Sequence, residues 1–388
     1  MKRIVLVTGP PGNGRDEYIK RVLPELEKSG KVGYHHVFEY MQKIAPYHKV
    51  PHLSRENIFD LAKATLDQIR DEAYRKINDS IQGSSNEIEI VSTPATFRIK
   101  PWGPYLTDRV DGITLTHLTQ LKPTNTVVII DDLLRVRENM QVDPRWRKME
   151  LGLKELAEWR NSAIEIVEDY SHTNPPYDWI IFPKEHEIKT FVDLVLEKKP
   201  RVYMSYAITG KEDFAAIERF ANKLSQEFVC IDPGTIYDWD IVRAYDDAVE
   251  KSATGNISIT TKYRSGAKTF SNVPLNEVED AIDLIRTQIV TRDYFLIGSV
   301  HATVVYHRDR TPSYGVMCEV IHSANVVSRP VYVLYPHKTR LSPFFEHFVK
   351  KENLVSGDLP PETLEEKIIQ KMKDDSPSWL TIPTCHHT

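Results

Sequence analysis

The sequence predicts a two-domain α/β protein whose sheets are mostly parallel. Strand-like apolar runs alternate with amphipathic helical stretches along the chain, which is the signature of strand–helix–strand units. The 388 residues exceed what one hydrophobic core usually serves. A break at Lys198-Lys199-Pro200, where proline disfavours helix in its predecessor, separates two such series.

In the first domain, 1–198, the pattern predicts strands over 3–8, 88–92, 126–130 and 179–182. Helices are expected over 16–29, 55–78, 146–170 and 189–197. In the second, 199–350, strand 202–206 leads to helix 214–227 and strand 228–231. A long polar stretch, 236–276, matches no familiar pattern. Helix 277–298, strand 302–306, helix 315–327 and strand 330–335 complete the series. A C-terminal tail, 351–388, holds one further helical stretch at 361–373.

Composition bounds the function. Hydrophobic residues at 41% and charged residues at 27% describe an ordinary globular chain with a proper core. A net charge of −5 argues against broad nucleic-acid binding, while leaving room for a local phosphate pocket. No apolar run approaches the roughly 20 residues that span a bilayer, so no membrane partner is expected. The run Ile4-Val5-Leu6-Val7 is too short for a signal peptide. Cys230, Cys318 and Cys385 lack paired spacing, which fits a reducing cytoplasm.

Gly9-Pro10-Pro11-Gly12-Asn13-Gly14-Arg15-Asp16 lies between the first strand and the first helix, where a phosphate-binding loop belongs. Such a loop normally ends Gly-Lys-Ser/Thr; here Arg15 replaces the lysine and Asp16 the magnesium-binding hydroxyl. The segment 1–198 resembles archaeal-type adenylate kinases. Residues 5–15 match that family's first strand and loop, and Ser92-Thr93-Pro94-Ala95-Thr96-Phe97 resembles its Asp-Thr-His-Ala-Thr-Ile segment. Gly103-Pro104-Tyr105 follows in the manner of its Gly-Tyr stretch. The resemblance implies a P-loop kinase-like parallel sheet. It also implies a nucleotide site, for ATP or AMP, at Gly9, Gly12, Gly14, Arg15, Arg145 and Arg160, with Arg147 among the lid positions. Phosphoryl transfer depends on charge neutralisation by lysine and magnesium. The changes at Arg15, Asp16 and Ser92 therefore point to a nucleotide-binding or structural domain rather than a kinase. Asp131-Asp132 can be read as a magnesium site or as a helix cap at Asp132, and the cap is preferred.

In the second series, strand 202–206 ends in Ala207-Ile208-Thr209-Gly210, and Asp293 comes late in a helix. Strand 302–306 leads to Thr311-Pro312-Ser313-Tyr314-Gly315, and Glu319 sits early in the following helix. In a doubly wound sheet these loops gather beyond the carboxyl ends of the strands. An acid near a helix start is also favoured by the helix dipole alone. Arg292-Asp293, Pro312-Ser313-Tyr314-Gly315-Val316-Met317-Cys318-Glu319, Ser328-Arg329-Pro330 and Leu341-Ser342-Pro343 together resemble the nucleoside 2-deoxyribosyltransferase family over 201–350. The likeness is greatest to its 2′-deoxynucleoside 5′-monophosphate N-hydrolase branch.

That resemblance implies a flavodoxin-like doubly wound parallel sheet. It implies Glu319 as nucleophile and Asp293 as second acid, with no cofactor required. Substrate-binding positions would be Ser313, Gly315, Tyr203, Ser205, Ala207 and Gly210. The chemistry fits these residue types, because a carboxylate stabilises an oxocarbenium-like state and traps it covalently. Serine at 313, where the transferases carry aspartate, implies a nucleoside 5′-monophosphate substrate, since a hydroxyl donates to phosphate where a carboxylate repels it. Arg308 and Arg310 stand close by. Two departures are plain: Ala207-Ile208-Thr209 lacks the hydrolases' phosphate-binding serine and arginine, and His301 replaces an aspartate. The family builds its pockets across homodimers, so a dimer-based homo-oligomer is expected. His35-His36 and Cys385-His386-His387 lack zinc-site spacing and are expected as exposed loop and tail residues, with no metal. Three functions compete: a nucleotide N-hydrolase or deoxyribosyltransferase, a nucleoside monophosphate kinase, and a non-catalytic nucleotide sensor or scaffold.

Overall fold

The structure is a computed structural model that describes residues 2–99, 108–147, 149, 151–174, 177–208, 214–263, 265–308 and 313–379. It is mixed α/β, with two parallel sheets of five strands each. The chain forms two compact units, Met1–Glu185 with Ile236–Ile289, and His186–Thr235 with Val290–Thr388. This division differs from the expected boundary at 198. The stretch 236–276, expected as part of the second domain, belongs to the first unit.

The first unit contains β1 (Arg3–Thr8), β2 (Val32–His36), β3 (Ile88–Ser92), β4 (Thr96–Ile99), β5 (Asp108–Asp111), β6 (Asn125–Ile130) and β7 (Asp178–Pro183). Its large sheet has the order β2-β3-β1-β6-β7, parallel throughout, with β4 and β5 as a separate antiparallel ribbon. A parallel sheet is covered on both faces and so reads as continuous apolar sequence. Val5, Leu6 and Val7 of β1 are fully buried, as are Val127, Val128 and Ile129 of β6. β2 was not expected: its sequence, Val-Gly-Tyr-His-His, has no apolar run. His35 and His36 are consequently buried strand residues rather than exposed loop residues.

The second unit contains β8 (Arg201–Ser205) and β9 (Val229–Ile231). In the first unit's later segment, β10 (Asn256–Tyr263) and β11 (Gly266–Pro274) form an antiparallel hairpin. β12 (Ala302–Tyr306), β13 (Val331–Tyr335) and β14 (Leu354–Ser356) return to the second unit. Its sheet order is β14-β13-β12-β8-β9, again all parallel. The chain runs outward from β8 to β9 and then crosses back to β12 on the other side, so the strand order reverses between β8 and β12. Ligand crevices form beyond the strand ends at such a reversal.

Two expectations change. The polar stretch 236–276 is ordered: helix Trp239–Glu250 precedes the hairpin, whose alternating burial puts Ile259, Tyr263, Phe270 and Val273 into a core with Leu133, Trp159, Ile241 and Val278. The tail beyond 351 is part of the second unit's framework. It supplies β14, and helix Pro361–Trp379 buries Leu364, Ile368, Met372 and Trp379 against β8, β12 and β13 side chains. The helix expected over 146–170 runs instead from Leu153 to Thr173, after a short turn Pro144–Arg147. That expected over 315–327 is α-helical from Tyr314 to Ile321 and continues as a π-helical turn, His322–Val326.

Candidate active site

β8 sends alternate side chains to opposite faces. Val202, Met204 and Tyr206 enter the apolar core, which leaves Tyr203 and Ser205 together on the other face. Helix Tyr314–Ile321 follows β12 and turns Val316, Glu319 and Val320 inward, the i, i+3, i+4 spacing of a buried helical stripe. These two periodicities meet at one carboxylate. Tyr203 Oη donates to Glu319 Oε1 at 2.9 Å, and Ser205 Oγ donates to Glu319 Oε2.

Asp293 arrives from the last turns of helix Leu275–Gly298, with Arg292 Nε and Nη2 each 2.9 Å from its Oδ1. Glu319 and Asp293 are both buried, as is Arg292. Burial and then the neighbouring charge of Asp293 push the Glu319 carboxyl up to about 8, against the hydrogen bonds from Ser205 and Tyr203. Burial raises Asp293 as well, opposed by Arg292. Burial, then Asp293 and Glu319, raise the Tyr203 phenol well above its ordinary value, so it stays a donor. The centre therefore holds two acids, one guanidinium and two neutral donors. One carboxyl can carry a proton while the other is charged, which is the division acid–base chemistry needs.

Ser313 is the N-cap residue of helix Tyr314–Ile321, and its hydroxyl makes no capping bond. Gly315 is exposed, and a Cβ there would meet only Ser313 Oγ, at 3.8 Å. Glycine is thus not required by packing. Ala207 is half-buried against the apolar cluster that contains Val305 and Val316. Gly210, Arg310 and Pro312 lie outside the described residues, as do Gly103-Pro104-Tyr105 and Cys385-His386-His387.

The glycine loop in the first unit has the backbone of its motif. Gly12 and Gly14 have φ of +79° and +69°, and Gly14 caps helix Arg15–Glu27. At Gly9 a Cβ would sit 2.2 Å from the carbonyl oxygen of Ile129, so only glycine allows that approach. The expected ligand-binding side chains are engaged internally. Arg15 is buried and donates to Ser92 Oγ at 3.0 Å and to Asp16 Oδ1 at 2.8 Å. Arg160, expected at a nucleotide, is also buried: it donates to Asp238 Oδ2 at 2.6 Å and to Gln288 Oε1 at 2.7 Å and 3.0 Å. It ties the later segment of this unit to helix Leu153–Thr173. The side chain of Arg145 lies outside the described residues.

Asp132 stands at the N-cap of helix Leu133–Val142 but makes no side-chain cap. The Leu133 N–H is met by Asp238 Oδ1 at 3.1 Å, and Asp132 Oδ1 accepts from the Tyr237 N–H. Asp131 pairs with Lys184 at 2.9 Å. Neither Asp238 nor Lys184 was singled out from the sequence, since each acts on residues far away along the chain. Among the described residues no group of three or more His, Cys, Asp or Glu side chains could hold a metal ion, and no helix is long and apolar enough to cross a membrane. No protein-family model matches this chain, and no curated protein matches it.

Proposed function

We propose that the second unit cleaves the N-glycosidic bond of a nucleoside 5′-monophosphate, by hydrolysis or by transfer of the sugar, with Glu319 as nucleophile. The observation that carries this reading is the buried Glu319 carboxylate, held by Tyr203 and Ser205 where the strand order reverses. The orders β14-β13-β12-β8-β9 and β2-β3-β1-β6-β7 support reading the two sheets as flavodoxin-like and P-loop kinase-like. Both agree with the folds that the two resemblances imply.

In this mechanism Glu319 Oε attacks the anomeric carbon as the bond to the base breaks. The leaving base takes the bonding electron pair and a proton from solvent, while Asp293, charged beside Arg292 as Glu319 titrates, holds the centre together. Tyr203 and Ser205 hold the carboxylate in line, and the glycosyl ester is then opened by water or by a second base. Ser313 offers a hydroxyl to the phosphate. With Glu319 at about 8, its nucleophilic form grows as pH rises through that value, so base release climbs with pH there. Exposed Tyr314 and Phe344 favour completion of the pocket by a second copy, in a dimer.

The first unit acts here as a non-catalytic partner, since Arg15 serves Ser92 and Asp16 instead of the open loop. The test is to incubate the full chain with deoxyribo- and ribonucleoside 5′-monophosphates, with and without a free acceptor base, and to separate the products. Free base or an exchanged nucleotide is expected. Absence of both across the four common bases in either sugar series would sink the reading and leave a nucleotide sensor.

A further inference from the structure

The first unit holds a second polar centre, independent of the glycosidase reading, gathered around Asp16. Asp16 Oδ1 accepts from Arg15 Nη2 at 2.8 Å, Arg15 Nε at 3.0 Å and Ser92 Oγ at 2.9 Å. Asp16 Oδ2 faces His36 Nε2 at 3.1 Å and Arg55 Nη2 at 3.8 Å. These groups come from the glycine loop, β3, β2 and the segment before the helix Lys63–Gly83. Arg15, His36 and Ser92 are buried, while Arg55 is half exposed.

Guanidinium groups, an imidazole and a hydroxyl around one small oxyanion form the donor set that a phosphate recruits. Here the oxyanion belongs to the chain itself. One backbone donor of the loop is also met from within: the Arg15 N–H donates to Asn13 Oδ1 at 3.1 Å, and Asn13 Nδ2 donates to the Ile129 carbonyl at 2.7 Å. Lys184 adds a third cation at the loop, placed so that a Cβ on Gly14 would lie 2.7 Å from its Nζ. Burial opposes ionisation of Asp16, but Arg15 and His36 outweigh it and hold the carboxyl well below the usual range. Lowering the pH therefore does not release it.

We propose that the first unit contains a phosphate-type oxyanion site that Asp16 closes from within. A tethered carboxylate competes at an effective concentration on the order of millimolar or more, and it repels an incoming anion. The wild-type chain takes no phosphate group at this position, and removal of this one charge opens the site. Asp16→Asn keeps the side chain's size and leaves Arg15 buried without its counter-ion, which favours an external anion strongly.

The experiment titrates inorganic pyrophosphate into the full chain by calorimetry, for the wild type, Asp16→Asn and Asp16→Asn with Arg15→Gln. The single variant binds at least tenfold more tightly than the wild type, and the Arg15 change removes that gain. Equal affinity in wild type and Asp16→Asn overturns the proposal, as does a folded Asp16→Asn chain that binds nothing. If Asp16→Asn unfolds, Asp16→Ser is used and its thermal midpoint is followed in rising pyrophosphate. A rising midpoint supports the proposal and an unchanged one overturns it.

Discussion

Glu319→Gln changes stability in a way that only a buried, proton-holding carboxyl produces. Its carboxyl moves from an ordinary 4.5 to about 8 in the folded chain. At about 1.4 kcal/mol per pH unit, ionising it in place costs the fold about 5 kcal/mol, of which about 3 kcal/mol is already present at pH 7. The sign follows from proton binding. Between about 4.5 and 8 the folded chain holds a proton that the unfolded chain has released, so wild-type stability falls as pH rises through this window. Glutamine presents a carbonyl oxygen and an NH2 group in the places of the protonated acid's two oxygens, and it does not titrate. The variant and the wild type should be nearly equal at pH 4.5, and the variant should lead increasingly up to pH 9. Urea unfolding at pH 4.5, 7 and 9 measures the gap, with amide exchange in β8 and β12 reporting on the second unit. A gap that is the same at all three pH values, or a wild type that leads at pH 9, refutes the reasoning. Base release by the variant should meanwhile fall by orders of magnitude.

Tyr203→Phe removes a donor to the Glu319 carboxylate, worth about 1–3 kcal/mol to a buried acceptor. The rising limb of base release should move to higher pH, and an unmoved limb contradicts the role given to the phenol. Asp238→Ala strands the buried Arg160 guanidinium and uncovers the Leu133 N–H, which should cost the first unit about 3–5 kcal/mol in urea unfolding. A loss under 1 kcal/mol counts against that network. The full chain should form no ADP from ATP and AMP with magnesium, because Arg15 is held by Ser92 and Asp16. Robust ADP formation, abolished by Arg15→Ala, contradicts this.

Local patterns in the sequence carried much of this architecture. β1, β3 and β12 fall at the expected 3–8, 88–92 and 302–306, because a parallel strand covered on both faces is apolar along most of its length. β2 was hidden by a glycine and two histidines, and β14 by its length of three residues. The hairpin β10–β11 reads as polar on average, yet every second residue of Ile259, Thr261 and Tyr263 is buried. Its period-2 signal was present and outweighed by threonine and lysine. In the candidate site, Tyr203, Ser205, Asp293 and Glu319 are all legible in the sequence, and Tyr203, Ser205 and Glu319 meet through hydrogen bonds. The loop network was not legible. Asp16 meets Ser92 across 76 residues and Arg160 meets Asp238 across 78, and no short motif encodes such pairs.

The two units are interleaved along the chain, which fixes an order of assembly during synthesis. The first unit cannot close its core until Ile259, Tyr263 and Phe270 have emerged from the ribosome. By then β8 and β9 have already been made, and β8 waits without β12 along one side. An uncovered strand edge is a template for wrong partners, and β8 remains exposed to that hazard for about a hundred residues of elongation. Division of the gene at codon 198 would yield neither unit. The first product would lack its hairpin, and the second would carry it without Leu133, Trp159 and the rest of the first product's share of that core.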